Sequence, residues 1–145
     1  MAGIVGKVVI DTNVLVSAVL FGGAPERVLD LARDGVLAGV TSLYILGEFR
    51  SVMMGPKFGI PRVTAEALAL EIADFTEVMA VERAIGCWVD DPGDDPIIET
   101  ALVAKATHVV TGDQTLLRAR IPGLRMVTVA SLLGLVADTP QADEL

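Results

Sequence analysis

The chain has 145 residues, 52% of them hydrophobic but only 4% aromatic, with 19 acidic against 11 basic side chains and a formal net charge of −8. That length suits one domain with an aliphatic core, and so much apolar surface excludes intrinsic disorder. Cys87 stands alone, which excludes a disulfide scaffold and suits a reducing compartment.

Ile4 to Ile10 reads as an apolar, β-branched strand closed by Asp11-Thr12-Asn13. Val14, Leu15, Ala18 and Val19 have helical spacing up to Gly22-Gly23. Pro25 suits the first turn of a second helix reaching Arg33 and stopping at Gly35. Val36 to Val40 is a second strand, and Ser42 caps a third helix that Gly55-Pro56 ends after Met54. Thr64 opens a helix with Leu68, Ile72, Phe75 and Met79 on one face, which offers a pairing surface for a homodimer. Ala84 to Val89 is predicted as the third strand, Asp90 to Pro96 as an acidic loop, and Ile97 to Ala106 as a helix. Val109 to Thr111 and Met126 to Val129 are the remaining strands, with Gly112-Asp113 as a turn and Ser131 opening a last short helix.

Strands alternating with helices, apolar on both faces, predict a three-layer α/β/α sandwich with a central parallel sheet. Residues 1–137 form a single domain in this reading, and 138–145 a frayed tail. Met1 to Ile10 carries no basic segment followed by a long apolar run and a cleavage site. Every long apolar stretch is interrupted well short of about 18 residues. The expectation is a soluble, cytoplasmic protein that does not engage a membrane.

Net charge argues against nucleic acid, because phosphates are met by Lys and Arg, but the distribution is uneven. Val63 to Thr100 holds ten acids and one base, Arg83, a local sum of −9. Arg50, Lys57 and Arg62 lie in a stretch without acids, and so do Arg118, Arg120 and Arg125. Solvated faces explain such clusters as well as a phosphate-binding rim does.

In open parallel sheets ligands bind beyond the carboxyl ends of the strands. Asp11 follows the first strand, Asp113 follows the Val109–Thr111 strand, and Asp94 and Asp95 stand at a strand-to-helix junction. Three parts of the chain thus bring acids to one edge. Glu48 falls at the border of its helix's apolar stripe, where either an active-site carboxylate or a solvated one fits. Each acid also has an ordinary structural reading: Asp95-Pro96 as a helix start, Asp11 as an Asx-turn, Gly112-Asp113 as a simple turn. Together, crowded like charges call for protonation or a cation, and an all-oxygen set suits Mg²⁺ or Mn²⁺.

Other chemistries are poorly supplied. His108 is the only histidine and precedes its strand, so it lies at the sheet edge opposite the acids and is expected as a surface or helix-end residue. A two-histidine mechanism is excluded, and a Ser-His or Cys-His nucleophile is disfavoured. Cys87 lacks partners for zinc and is assigned to packing. No Gly-rich phosphate loop with its Lys is present.

Val8-Val9-Ile10-Asp11-Thr12-Asn13, Glu48 within Ile45 to Arg50, Asp90 to Ile98 and Val109-Val110-Thr111-Gly112-Asp113 together resemble the PIN domain family, especially its bacterial toxin–antitoxin toxin members. The likeness runs from Val8 to Leu133 and rests on four motifs in order. It implies a parallel sheet between helices and an acidic pocket that binds Mg²⁺ or Mn²⁺ and cleaves single-stranded RNA. By motif, Asp11, Glu48, Asp95 and Asp113 take catalytic, metal-ligating roles, with Asp94 as the rival ligand to Asp95. Asn13 and Thr111 would orient carboxylates or water. Thr115 stands where many relatives carry a further acid, which weakens the case for a complete second metal site.

The mechanism so implied is metal-assisted hydrolysis leaving 5′-phosphate and 3′-hydroxyl ends. Arg50, Lys57, Arg118, Arg120 and Arg125 are the candidate RNA contacts. Few aromatics argue against extensive base stacking. The resemblance also implies an antitoxin protein as partner. Gly47, unusual within a helix, is expected to permit close packing or substrate approach beside Glu48. The competing reading is a non-catalytic module of the same fold that binds RNA or protein. An aspartate-nucleophile phosphatase is weaker, because Asn13 occupies the place of its second aspartate.

Overall fold

Val8, Val9 and Ile10 are completely buried because the strand they form has a neighbour on each side and helices above and below. The computed structural model describes residues 5–81 and 95–138, without the side chain of Asp95. In chain order the elements are β1 (Lys7–Ile10), α1 (Thr12–Phe21), α2 (Gly23–Arg33), β2 (Ala38–Ser42), α3 (Leu43–Met54), α4 (Arg62–Asp74) and β3 (Glu77–Met79). They continue with α5 (Asp95–Ala104), β4 (His108–Val110), α6 (Gln114–Arg118), β5 (Arg125–Val127) and α7 (Val129–Ala137).

The five strands are all parallel, in the order β3-β2-β1-β4-β5. Register pairs Val9 with both Val40 and Val109, and Ile10 with Val110. From β1 the chain moves outward to β2 and β3, then crosses back to β4 and β5 on the other side. Right-handed crossovers put the helices of those two journeys on opposite faces, which makes the three-layer sandwich. Leu15, Val28, Phe49, Ile72, Ile98, Leu116 and Leu132, one from each helix, are buried in a common core. Phe49 is the largest fully buried side chain, and truncating such a residue to Ala costs about 3–5 kcal/mol.

Several expected elements shift. The third strand among the described residues is Glu77–Met79, whereas the expected strand at Ala84–Val89 lies outside them. The helix expected to continue to Met79 ends at Asp74, where Thr76 Oγ1 donates to the Ile72 carbonyl at 2.8 Å and the chain turns to pair with β2. That helix also opens at Arg62 behind Pro61, not at Thr64. Its Leu68–Ile72 face turns inward, so it is core rather than a pairing surface; the large exposed apolar residues of α4 are Val63 and Leu70. α6 was not anticipated, and α7 is capped by Thr128, whose hydroxyl accepts the Ser131 amide at 3.1 Å. Among the described residues, no helix is long and apolar enough to cross a membrane.

Candidate functional site

The order of the sheet reverses between β1 and β4, the place where parallel sheets open a crevice. Asp11 and Thr111 are the first residues beyond those two strands. Both remain on the ladder: the Asp11 amide donates to the Val110 carbonyl at 3.0 Å and the Thr111 amide to the Val127 carbonyl at 2.9 Å. Thr111 Oγ1 then donates to Asp11 Oδ2 at 2.7 Å. Asp11 is 7% exposed, and it precedes α1 without spending its carboxylate on a helix cap. Burial pushes its carboxyl above the ordinary range, the Thr111 hydroxyl and Thr12 amide pull it back, and the negative charges of Glu48 and Asp113 push it further up.

Glu48 reaches this edge from α3, where its Oε1 accepts a 2.6 Å hydrogen bond from Thr12 Oγ1. Thr12 is buried at the first position of α1, so one hydroxyl ties the start of one helix to the middle of another. Sequence reasoning missed Thr12. Its signal was a hydroxyl directly after the first aspartate. Among the described residues, a Cβ at Gly47 would meet only Arg50 Nη2, at 3.8 Å.

Asp113 caps α6, accepting the Thr115 amide on Oδ1 at 2.8 Å, and its own amide donates to Thr111 Oγ1 at 3.0 Å. Thr111 therefore serves both aspartates. Asp113 keeps an ordinary turn-and-cap role alongside its electrostatic influence on Asp11. Asp95 begins α5, with its side chain outside the described residues, and Asp94 lies outside them too, as does Cys87. α5 is anchored at its middle by Thr100 Oγ1, which contacts the Pro96 carbonyl at 2.7 Å and Ser42 Oγ at 3.0 Å, while Ser42 caps α3 through the Ile45 amide. Glu99, four residues after Asp95, has a buried Oε1 with no hydrogen-bond partner among the described residues. That acid, too, went unremarked in the sequence.

Asn13 is exposed and, among the described residues, no hydrogen bond links it to Asp11, Glu48 or Asp113. Among the described residues no group of three acid side chains stands close enough to hold a metal ion by itself. The basic candidates are not gathered at this edge. Arg50 projects roughly 160° around α3 from Glu48. Lys57 Nζ sits over the Phe58 ring, 5.3 Å from its centroid, and Phe58 meets Phe21 at the far end of α1. Arg125 starts β5 beside His108, at the amino edge of the sheet, with Arg120 in the same hollow and Arg118 ending α6.

His108 corrects another expectation. It is buried rather than superficial, and its Nδ1 lies 2.6 Å from Thr107 Oγ1. Burial, and then the Arg125 charge, hold it below the ordinary histidine value.

A parallel sheet whose switch point carries a buried aspartate can be compared with known proteins. No curated protein matches the chain. Among solved structures, the crystal structure of VapBC2 from Rickettsia felis bound to a DNA fragment from their promoter is similar, with a TM-score of 0.59 at 17% identity. The match covers 85% of this chain and 98% of that one, and at this identity it speaks for the fold. The family model described as PIN domain matches residues 7–115. That match takes in β1, α3, the start of α5 and β4, with Asp11, Glu48, Asp95 and Asp113 inside it, and the chain belongs to the PIN domain family.

Proposed function

We propose that this PIN domain is a metal-dependent endoribonuclease acting on single-stranded RNA. The observation that carries the reading is the Asp11 carboxylate, buried at the switch point, held by Thr111 and lying in the negative field of Glu48 and Asp113. A carboxylate so placed is costly alone and is relieved by a cation. The donor set is all oxygen, and the orphaned Glu99 oxygen lies on the helix that Asp95 begins, so the residues fit Mg²⁺ or Mn²⁺.

Asp11, Glu48, Asp95 and Asp113 would hold the ion, which when bound supplies Lewis-acid activation of water and neutralises charge at the scissile phosphate. The chain's own contribution is positional. Thr111 fixes the Asp11 carboxylate from behind, Thr12 fixes Glu48, and the Thr100–Ser42 contact fixes α5 against α3. Burial of this edge lowers the local dielectric and strengthens every charge interaction there.

The likeness to a protein solved as VapBC2 supports a toxin role, with an antitoxin protein as partner and a cytoplasmic setting. A non-catalytic module is the second reading, favoured by Asp113, whose Oδ1 is engaged by the Thr115 amide as the cap of α6. Pure protein incubated with unstructured RNA and Mn²⁺ or Mg²⁺ separates the two. Metal-dependent cleavage giving 5′-phosphate ends, abolished by Asp11→Asn, establishes the nuclease. No cleavage with either metal, together with no calorimetric metal binding, establishes the module.

A further inference from the structure

At the amino edge of the sheet, across the molecule from Asp11, α6 and the turn before β5 border a shallow, open hollow of about 440 Å³. Its walls include Leu117, Ile121, Pro122 and Met126, with Arg120 and Arg125 among its lining residues. One wall is a tight turn, Ile121-Pro122-Gly123-Leu124, in which the Leu124 amide donates to the Ile121 carbonyl at 3.0 Å. Gly123 has φ +79°, the left-handed conformation that a Pro-Gly type II turn requires. The wall is therefore set before any ligand arrives, which lowers the ordering cost of binding.

Charge singles this hollow out. From Gln114 to Ala137 the sequence has three arginines and no acid, in a chain with 19 acids against 11 bases. No salt bridge engages Arg118, Arg120 or Arg125 among the described residues. We propose that the α6–β5 hollow docks an acidic peptide segment of a partner protein, an aliphatic side chain entering between Leu117 and Ile121 while carboxylates meet Arg120 and Arg125. Planar guanidinium groups bind carboxylates in bidentate fashion. The hollow's lining has no aromatic ring on which a base could stack, and it lies away from the acidic edge, so a peptide fits better than RNA. This assignment is independent of the nuclease reading. A partner seated here leaves the Asp11 edge open, and its effect would be to recruit or localise rather than to occlude.

The test uses the full chain, isotope-labelled, titrated with four probes: an acetylated Leu-Glu-Leu-Glu-Leu-Glu peptide, the same peptide with Lys for Glu, the same with Ser for Leu, and an oligouridylate. The acidic leucine peptide is expected to shift the amides of residues 117–126, with the Lys and Ser peptides binding at least about tenfold more weakly. The double change Arg120→Glu with Arg125→Glu should invert the preference toward the Lys peptide, a gain that also shows the variant is folded. Unmoved amides, equal response to the Ser peptide, an unchanged preference in the double variant, or stronger binding of oligouridylate at these amides would overturn the proposal.

Discussion

The hydroxyl of Thr111 and the carboxylate of Asp11 lie 2.7 Å apart across the β1–β4 junction, the donor being one residue past its strand and so the acceptor. The same hydroxyl oxygen accepts the Asp113 amide. Thr111→Val keeps the shape and removes both services at once. Hydrogen bonds to charged groups contribute about 1.5–3 kcal/mol, so a destabilisation of that size is expected by chemical denaturation. Thr111→Ser should recover most of it. Because the hydroxyl pulls the Asp11 carboxyl down, Thr111→Val should also move that carboxyl's titration still further up, as read by carbon-13 NMR of the side chain.

Asp11→Asn should make the metal-free protein more heat-stable at pH 7. The folded-state carboxyl titrates above its unfolded value, chiefly through burial. Its favourable contribution is therefore fully present below the unfolded value, about 3.9, and is lost as pH rises through the raised one. The advantage of Asn should narrow as pH falls toward about 4. Adding Mn²⁺ should raise the melting temperature of the wild type and leave the variant nearly unchanged.

His108 has the opposite slope. Its value is lowered by burial and by Arg125, so its contribution is present above the ordinary value of about 6.5 and lost as pH falls through the depressed one. Melting temperature should drop across that acidic window, and His108→Gln should flatten the drop. A slope unchanged by the substitution would show that another group sets it.

Gly47→Ala tests whether the glycine serves the site or the helix. Among the described residues the new methyl would meet only the end of the Arg50 side chain at 3.8 Å, so Ala should stabilise by about 1 kcal/mol in urea. Cleavage lost despite that gain would show that substrate passes close to the backbone beside Glu48.

The parts of the fold that local chemistry dictates were legible. Ser42 has the chemistry and position of a cap and accepts the Ile45 amide, and Asp11 follows directly from the apolar run that makes the first strand. What escaped depends on partners distant in sequence. Glu77–Met79 becomes a strand only because β2 lies beside it, while the spacing of Phe75 and Met79 alone continues the helical pattern. Thr12 finds Glu48 across 36 positions of sequence, which no local pattern records. His108 looked superficial because it precedes an apolar run, yet pairing on both sides encloses it. Asp11 and Asp113 were legible from their placement after strands and Thr111 from the family resemblance, whereas the Thr12 hydroxyl was not.

The Ile10–Val110 pairing turns the backbone ladder into a ruler. Slipping β4 by a single residue would swing every one of its side chains to the other face, sending the Thr111 hydroxyl away from its aspartate and pointing a glycine or a valine there instead. The spacing between these two groups is thus as stiff as the middle of the sheet, and any adaptation to different ligands has to come from the helices and loops that arrive above it.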